Sequence, residues 1–220
     1  MKIFDCFMFF DEEMILDLRF NILDPYVDFF VIVESKYLHN GKARELIFDI
    51  SKYPRFKNKI IYLVFDEIPS KVENINDTED EDIKSWKYTM NAIYRENGQR
   101  DYILNGLKNA DDNDMIIISD VDEIPNLENV HFKKILNKII LFKQDMTYYK
   151  FNLRMPNFKW TGTKACRKKY LTTPQWLRVI KDRKYPFFRL DIFFSKNKYI
   201  DVKIINDGGW HFSNMKTAKG

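Results

Sequence analysis

The run "VDFFVIVES" (residues 27–35) carries apolar side chains at consecutive positions rather than at alternate ones. That is the pattern of a strand covered on both faces. "KIIYLVF" (59–65) and "MIIIS" (115–119) repeat it. Such strands need helices above and below them, and the intervening segments supply candidates. "EEMILDLRFNIL" (12–23) places Met14, Ile15, Leu18 and Ile22 on one helical face, with acids in its first turn and Asp11 as the predicted cap. Helical spacing returns from Trp86 to Ala110, with a predicted break at Asn97-Gly98. With "KIFDCFMFF" as a first strand, strand and helix alternate. The expected fold is α/β: a Rossmann-like, mostly parallel central sheet with flanking helices.

Beyond these runs the acidic stretch 70–84 reads as a surface loop and "DDND" (111–114) as a turn. A helix is expected over "LENVHFKKILNKIILF" (127–142), and a half-buried strand over "MTYYKFNLRM" (146–155). Short strands are expected near Phe187–Phe194 and Lys198–Ile205. There is no internal repeat and no inter-domain linker, so 1–220 is expected to be one domain.

Sheets of this kind bind ligands at the carboxyl ends of their strands. At that place the chain reads "SDVDEIP" (119–125). Asp120 and Asp122 flank Val121; in an extended segment residues two apart point the same way, so both carboxylates reach one ion. Hard divalent cations such as Mn²⁺ or Mg²⁺ take carboxylate oxygens and keep positions open for phosphate. Two chemistries use a strand ending this way. One is a sugar-nucleotide transferase, in which a metal grips the diphosphate. The other is a HAD-like aspartyl-phosphate phosphatase with Asp120 as nucleophile and Asp122 as acid/base. The phosphatase wants its acids near the chain start and a distal acidic pair, for which the tail offers only Asp201 and Asp207. The transferase is the favoured reading. Aromatic residues make up 16% of the chain, which keeps a third reading open, a non-catalytic glycan-binding domain.

The net charge of +4 is spread along the chain. It forms no basic stripe for duplex nucleic acid, but suits an anionic small ligand such as a nucleotide diphosphate. Cys6 and Cys166 lie far apart in no metal-ligand spacing, which predicts a reducing compartment. The first residues have no signal-peptide layout and no run is apolar enough to span a bilayer. A cytoplasmic protein is expected, with peripheral contact to a membrane surface left open.

"IIISDVDEIP", "WTGT" (160–163) and "GGWHFS" (208–213), in that order, together with "FDCFMFFDEEMILDLR" and "VDFFVIVESKYLHNGK" (27–42), resemble glycosyltransferase family 17. The resemblance implies a GT-A-type nucleotide-sugar fold and inverting, metal-assisted transfer from UDP-N-acetylglucosamine to a glycan, polysaccharide or lipid-linked saccharide. It makes 1–125 the donor half, ending in the D-x-D segment, and 126–220 an acceptor-side half shortened at its far end. Asp122 becomes the direct metal ligand, with Asp120 near the ribose or bound through water. His211, after "DGGW", matches a late histidine that completes the coordination shell in several metal-dependent GT-A enzymes. Arg100 is expected against the donor.

Trp160 and Trp86 are candidates to stack on uracil or sugar, with core packing the favoured reading for Trp86. Trp176 and Arg178 are placed on an acceptor-side strand or loop. Arg178 or Lys164 could stabilise the departing diphosphate. Asp207 is the first candidate for the general base, with Asp145 and Glu34 behind it. Glu123 is expected to hold backbone. His39 and His131 are read as structural, although "HNGK" (39–42) could form a loop over the nucleotide.

Overall fold

The consecutive apolar runs divide their side chains between two apolar layers. In the computed structural model, which describes residues 1–183, 185 and 194–215, strand β1 (Ile3–Phe9) sends Phe7 and Phe9 to one face and Phe4 and Cys6 to the other. Helix α1 (Glu13–Leu23) covers the first face with Ile15, Leu16, Phe20 and Leu23. Strand β2 (Phe29–Ser35) splits likewise, Phe30 and Ile32 against Val31 and Val33. Strand β3 (Ile60–Phe65) precedes helix α2 (Glu81–Asp101), which runs on into a 3-10 stretch, Tyr102–Leu107. Ile103 and Leu107 of that stretch cover the second face. Strand β4 (Met115–Ile118) alternates again, with all four residues buried. Burying each such side chain contributes roughly 1.5–3 kcal/mol, so both layers hold the sheet in place.

Strands β5 (Glu123–Pro125), β6 (Ile139–Phe142), β7 (Gln144–Tyr148), β8 (Arg154–Trp160) and β9 (Lys164–Arg167) follow. A short helix α3 (Pro174–Arg178) and strands β10 (Val202–Ile205) and β11 (Gly209–Ser213) complete the described chain. The larger sheet has the order β10-β6-β9-β4-β1-β2-β3. Its pairs are parallel except where β9 lies antiparallel to β4 and β6, so the sheet is mixed but mainly parallel, as expected. A second sheet, β5-β11-β7-β8, was not anticipated. No helix among the described residues is long and apolar enough to cross a membrane.

Several local expectations are corrected. The helix over 127–142 does not form: Phe132–Lys134 make one 3-10 turn, and Ile139–Phe142 become β6. All four β6 residues are buried between β10 and β9, and this tertiary pairing overrides the helical spacing. Helix α2 begins within the expected loop, where Asp80 caps it through the Asp82 N–H, and it passes unbroken through Asn97-Gly98. Gly98 is there for packing, since a Cβ would come within 2.8 Å of Pro69. Arg100 therefore sits in the last turn of an unbroken helix.

The first helix begins at Glu13 with Glu12 at the cap position; the Glu12 carboxylate accepts from the Phe10 and Asp11 N–H groups instead of Asp11 capping the helix. Residues 146–155 turn back at 149–153 into the β7–β8 hairpin. Trp176 and Arg178 lie on helix α3, capped by Thr173, rather than on a strand or loop. The strand expected near 187–194 falls mostly outside the described residues.

Candidate functional site

Between β4 and β5 the chain leaves the larger sheet for the smaller one, and the D-x-D segment makes that turn. The Glu123 N–H donates to the Asp120 carbonyl at 3.1 Å, and the Glu123 carboxylate accepts the Asp120 N–H, also at 3.1 Å. The two bonds close Asp120–Glu123 into one turn. The extended geometry expected for Asp120 and Asp122 is replaced, and their carboxylates serve different partners. Asp120 Oδ1 accepts from Arg100 at 3.1 Å and Oδ2 from Arg178 at 2.7 Å. Burial opposes ionisation of Asp120, but Arg178 and Arg100 outweigh it and hold its pKa below the usual carboxylate range. Asp122 lies 3.3 Å from His211 Nε2.

A fully buried arginine on α1 holds the turn from beneath. Arg19 pairs with Asp5 through Nε at 2.7 Å and Nη2 at 2.6 Å, and Nη2 also reaches Ser119 Oγ at 2.5 Å. Its Nη1 donates to the carbonyls of Asp120, Val121 and Glu123 at 3.0, 3.1 and 3.0 Å. The planar fork suits this task, since it ties one carboxylate and several carbonyls at once. Neither Arg19 nor Asp5 was singled out from the sequence. Arg19 does, however, follow Ile15 by one helical turn on the core-facing side, where a charge requires a partner.

Glu123 is where distant segments meet. Its Oε1 accepts from Trp160 Nε1 at 2.5 Å and from Arg178 at 2.8 Å, and its carbonyl accepts from Thr163 Oγ1 at 3.1 Å. Gly162 lies so close that a Cβ there would run into the Glu123 carboxylate. The "WTGT" segment thus has a physical reason: Trp160 and Thr163 donate to Glu123 and Gly162 leaves room for it. Burial and the neighbouring Asp120 charge raise the Glu123 pKa, against the pull of Arg178.

The "GGWH" segment is explained in the same way. Strand β11 pairs with β5, setting His211 opposite Glu123, and the Phe212 N–H donates to the Asp122 carbonyl at 2.9 Å. Gly209, at φ 109°, passes so near Ile124 and Asn126 that no side chain fits. The Trp160 ring lies 5.2 Å from that of His211. Burial lowers the His211 pKa, but the Asp122 carboxylate, with Glu123 and Asp120 behind it, more than offsets this and raises it. Asp122 and His211 offer a carboxylate oxygen and an imidazole nitrogen, donor types a divalent cation accepts. Among the described residues no group of three His, Cys, Asp or Glu side chains forms a closed metal centre, so a cation held here would keep most positions for ligand oxygens.

Beside the turn lies a cavity of about 600 Å³. Its walls are the ends of β1 and β2, the 37–44 loop, the last turns of α2 and the residues Asp120, Val121 and Asp122. This is the carboxyl end of the parallel strands, as expected. Leu38, His39 and Asn40 form part of the wall, and the His39 carbonyl accepts from Arg95 at 3.1 Å.

Other candidates stand apart from the turn. The Lys164 ammonium is buried and donates to the carbonyls of Arg178 and Ile180, so it secures the Arg178 backbone rather than facing the cavity. Asp207 is exposed and accepts from Asn126 at 3.2 Å, and it lies before the start of β11, on which His211 sits. Asp145 is paired with Arg154 and Lys159. Glu34 is buried and accepts from the Ile47 and Phe48 N–H groups and from the Tyr62 hydroxyl. Trp86 is 55% exposed, which removes the core-packing reading, and it does not line the cavity.

Residues 1–182 match the sequence model of glycosyltransferase family 17. The chain belongs to this family. Among curated relatives, human beta-1,4-mannosyl-glycoprotein 4-beta-N-acetylglucosaminyltransferase is 28% identical over 228 residues, covering 95% of this chain and 40% of the human protein. The mouse protein of the same name is 24% identical over 228 residues, covering 95% of this chain and 39% of its own length. The rat protein is 28% identical over 128 residues, covering 56% and 22%. This family 17 chain thus spans about two fifths of the length of the human and mouse relatives it matches. Family membership favours glycosyl transfer over the phosphatase. Asp120 also carries a guanidinium on each carboxylate oxygen, a poor setting for a nucleophile.

Proposed function

We propose that this family 17 chain is a GT-A-type, inverting N-acetylglucosaminyltransferase that uses UDP-N-acetylglucosamine with Mn²⁺ or Mg²⁺ and transfers to a glycan or glycoconjugate. The observation that carries this reading is the convergence of three separated segments, 119–125, 160–163 and 208–213, on one turn beside the cavity. Asp122 and His211 would hold the cation, which when bound neutralises the diphosphate as it leaves. Asp120, in the cavity wall, holds two guanidiniums, Arg100 of the same wall and Arg178, and fixed positive charge there favours an anionic leaving group. Arg19 and Glu123 keep the turn rigid, so little reorganisation is needed when the donor arrives. Cys6 and Cys166 are buried free thiols, which supports a cytoplasmic setting as part of the same proposal.

The test is release of UDP from UDP-N-acetylglucosamine, with and without a chelator, in the wild-type chain and in Asp122→Asn. Chelator-sensitive release that Asp122→Asn abolishes is expected. No donor binding by calorimetry, or release that neither chelator nor substitution alters, overturns the proposal.

A further inference from the structure

Residues 149–159, "YKFNLRMPNFK", are exposed without a break. Within them Tyr149, Phe151, Leu153, Met155 and Phe158 keep between 38% and 61% of their surface in solvent. Singly exposed apolar residues are ordinary, but a contiguous set marks a place where something docks. The segment is also basic: Lys150, Arg154 and Lys159 stand among the apolar side chains, and it contains no acid. Arg154 and Lys159 lean on Asp145 at the base of the hairpin, at 2.7 and 2.5 Å, while Lys150 is exposed at the turn.

Strand β8 is the edge of the smaller sheet, so a peptide strand is the first partner to consider. The edge is interrupted, however. Pro156 has no N–H to donate, and Asn157 sits in the left-handed region at φ 59°. A flat sugar platform fits poorly too, because Leu153 and Met155 have no ring face to offer. Aromatic and aliphatic side chains mixed with cations and free of acids match another surface: the boundary between headgroups and acyl chains of an anionic membrane.

We propose that the β7–β8 hairpin docks the protein on an anionic lipid bilayer. Aromatic and aliphatic side chains enter the headgroup boundary, and Lys150 at the turn meets lipid phosphates. The hairpin ends at Trp160, whose ring lies 5.2 Å from His211, so docking brings the candidate site to the membrane surface. The inference does not depend on the identity of the donor.

Co-sedimentation with phosphatidylcholine vesicles, with and without phosphatidylglycerol, tests it. The wild-type chain should pellet with the anionic vesicles and remain in solution with the neutral ones. Leu153→Ser/Met155→Ser should reduce the partition coefficient at least tenfold, and Lys150→Ala about fivefold. The thermal shift produced by UDP-N-acetylglucosamine with Mn²⁺ should be unchanged in these variants, which separates a failure of docking from a failure of the donor reading. Equal partition onto both vesicle types, no partition onto anionic vesicles, or variants that sediment like wild type overturn the proposal. So does binding of a soluble oligosaccharide that the variants abolish while vesicle binding is absent, since the hairpin would then be a saccharide platform.

Discussion

Arg19→Lys tests how far the D-x-D turn depends on what lies beneath it. The guanidinium makes six hydrogen bonds, to Asp5, Ser119 and the carbonyls of Asp120, Val121 and Glu123. An ammonium has three donors and no fork, so roughly half of these bonds are lost at a site with no exposure to water. Losing about three of them, at about 1–1.5 kcal/mol each, costs about 3–5 kcal/mol. For a chain of this length that lowers Tm by about 6–20 °C. Asp5→Leu/Arg19→Met removes both charges and should regain much of the stability, because no unpaired ion remains. It does not restore a donor to the three carbonyls. Affinity for UDP-N-acetylglucosamine with Mn²⁺ should therefore stay weak, on the order of 100-fold below wild type if the turn shifts by about 1 Å. Circular-dichroism melts report the first quantity and calorimetric titration the second. Wild-type melting in Arg19→Lys, or recovery of donor affinity along with stability in the double variant, would refute the idea that Arg19 positions the turn.

Three further outcomes are expected. Gly162→Ala pushes a methyl group into the Glu123 carboxylate and should cost about 1–3 kcal/mol in urea unfolding; an unchanged midpoint would show that Glu123 moves freely. Asp122→Ala and His211→Ala should each weaken Mn²⁺ binding at least about tenfold by calorimetry, since even outer-shell partners contribute that much, whereas His131→Ala should bind as wild type does. Burial, helped by the Arg178 charge, pushes the Lys164 pKa down from 10.5 to about 8. Between those values the folded chain holds fewer protons than the unfolded one, so the stability contributed at Lys164 rises with pH across that window and the cost of its buried charge is fully present below it. Relative to Lys164→Met, wild type should gain up to about 3 kcal/mol between pH 7.5 and 10.5. The carbonyls of Arg178 and Ile180 accept from the ammonium and reduce this figure. A difference that stays constant with pH, measured by urea denaturation, would show that Lys164 titrates normally.

The central strands β2 and β4 were legible because burial on both faces leaves unbroken apolar runs; β3 carries such a run too, but it lies at the sheet edge and is mostly half-buried. The D-x-D segment was legible because such runs end where ligands bind. Strand β6 was not: its four apolar residues follow Lys133, Lys134, Ile135 and Leu136 at spacings that imitate a helix, and only the neighbouring strands decide the outcome. Gly98 misled because a glycine that breaks a helix and one that lets Pro69 approach look alike in a sequence. Arg19 and Asp5 could have been found, each being a charge at a core-facing position. The meeting of Trp160, Gly162, Thr163 and Arg178 on Glu123 could not, because 37 or more residues of chain separate them from it. For Trp86, solvent rather than the core was the answer.

Strand β11 lies between β5 and β7, which do not pair with each other. Until it arrives the smaller sheet has no middle, and Asp122 has neither its imidazole neighbour nor the Phe212 N–H that fixes its backbone. A nascent chain still short of residue 213 thus carries both aspartates but not their setting. The surroundings of the two aspartates are completed by a contact that joins residues 119–125 to the last described strand, and they exist only once 209–213 has paired with β5.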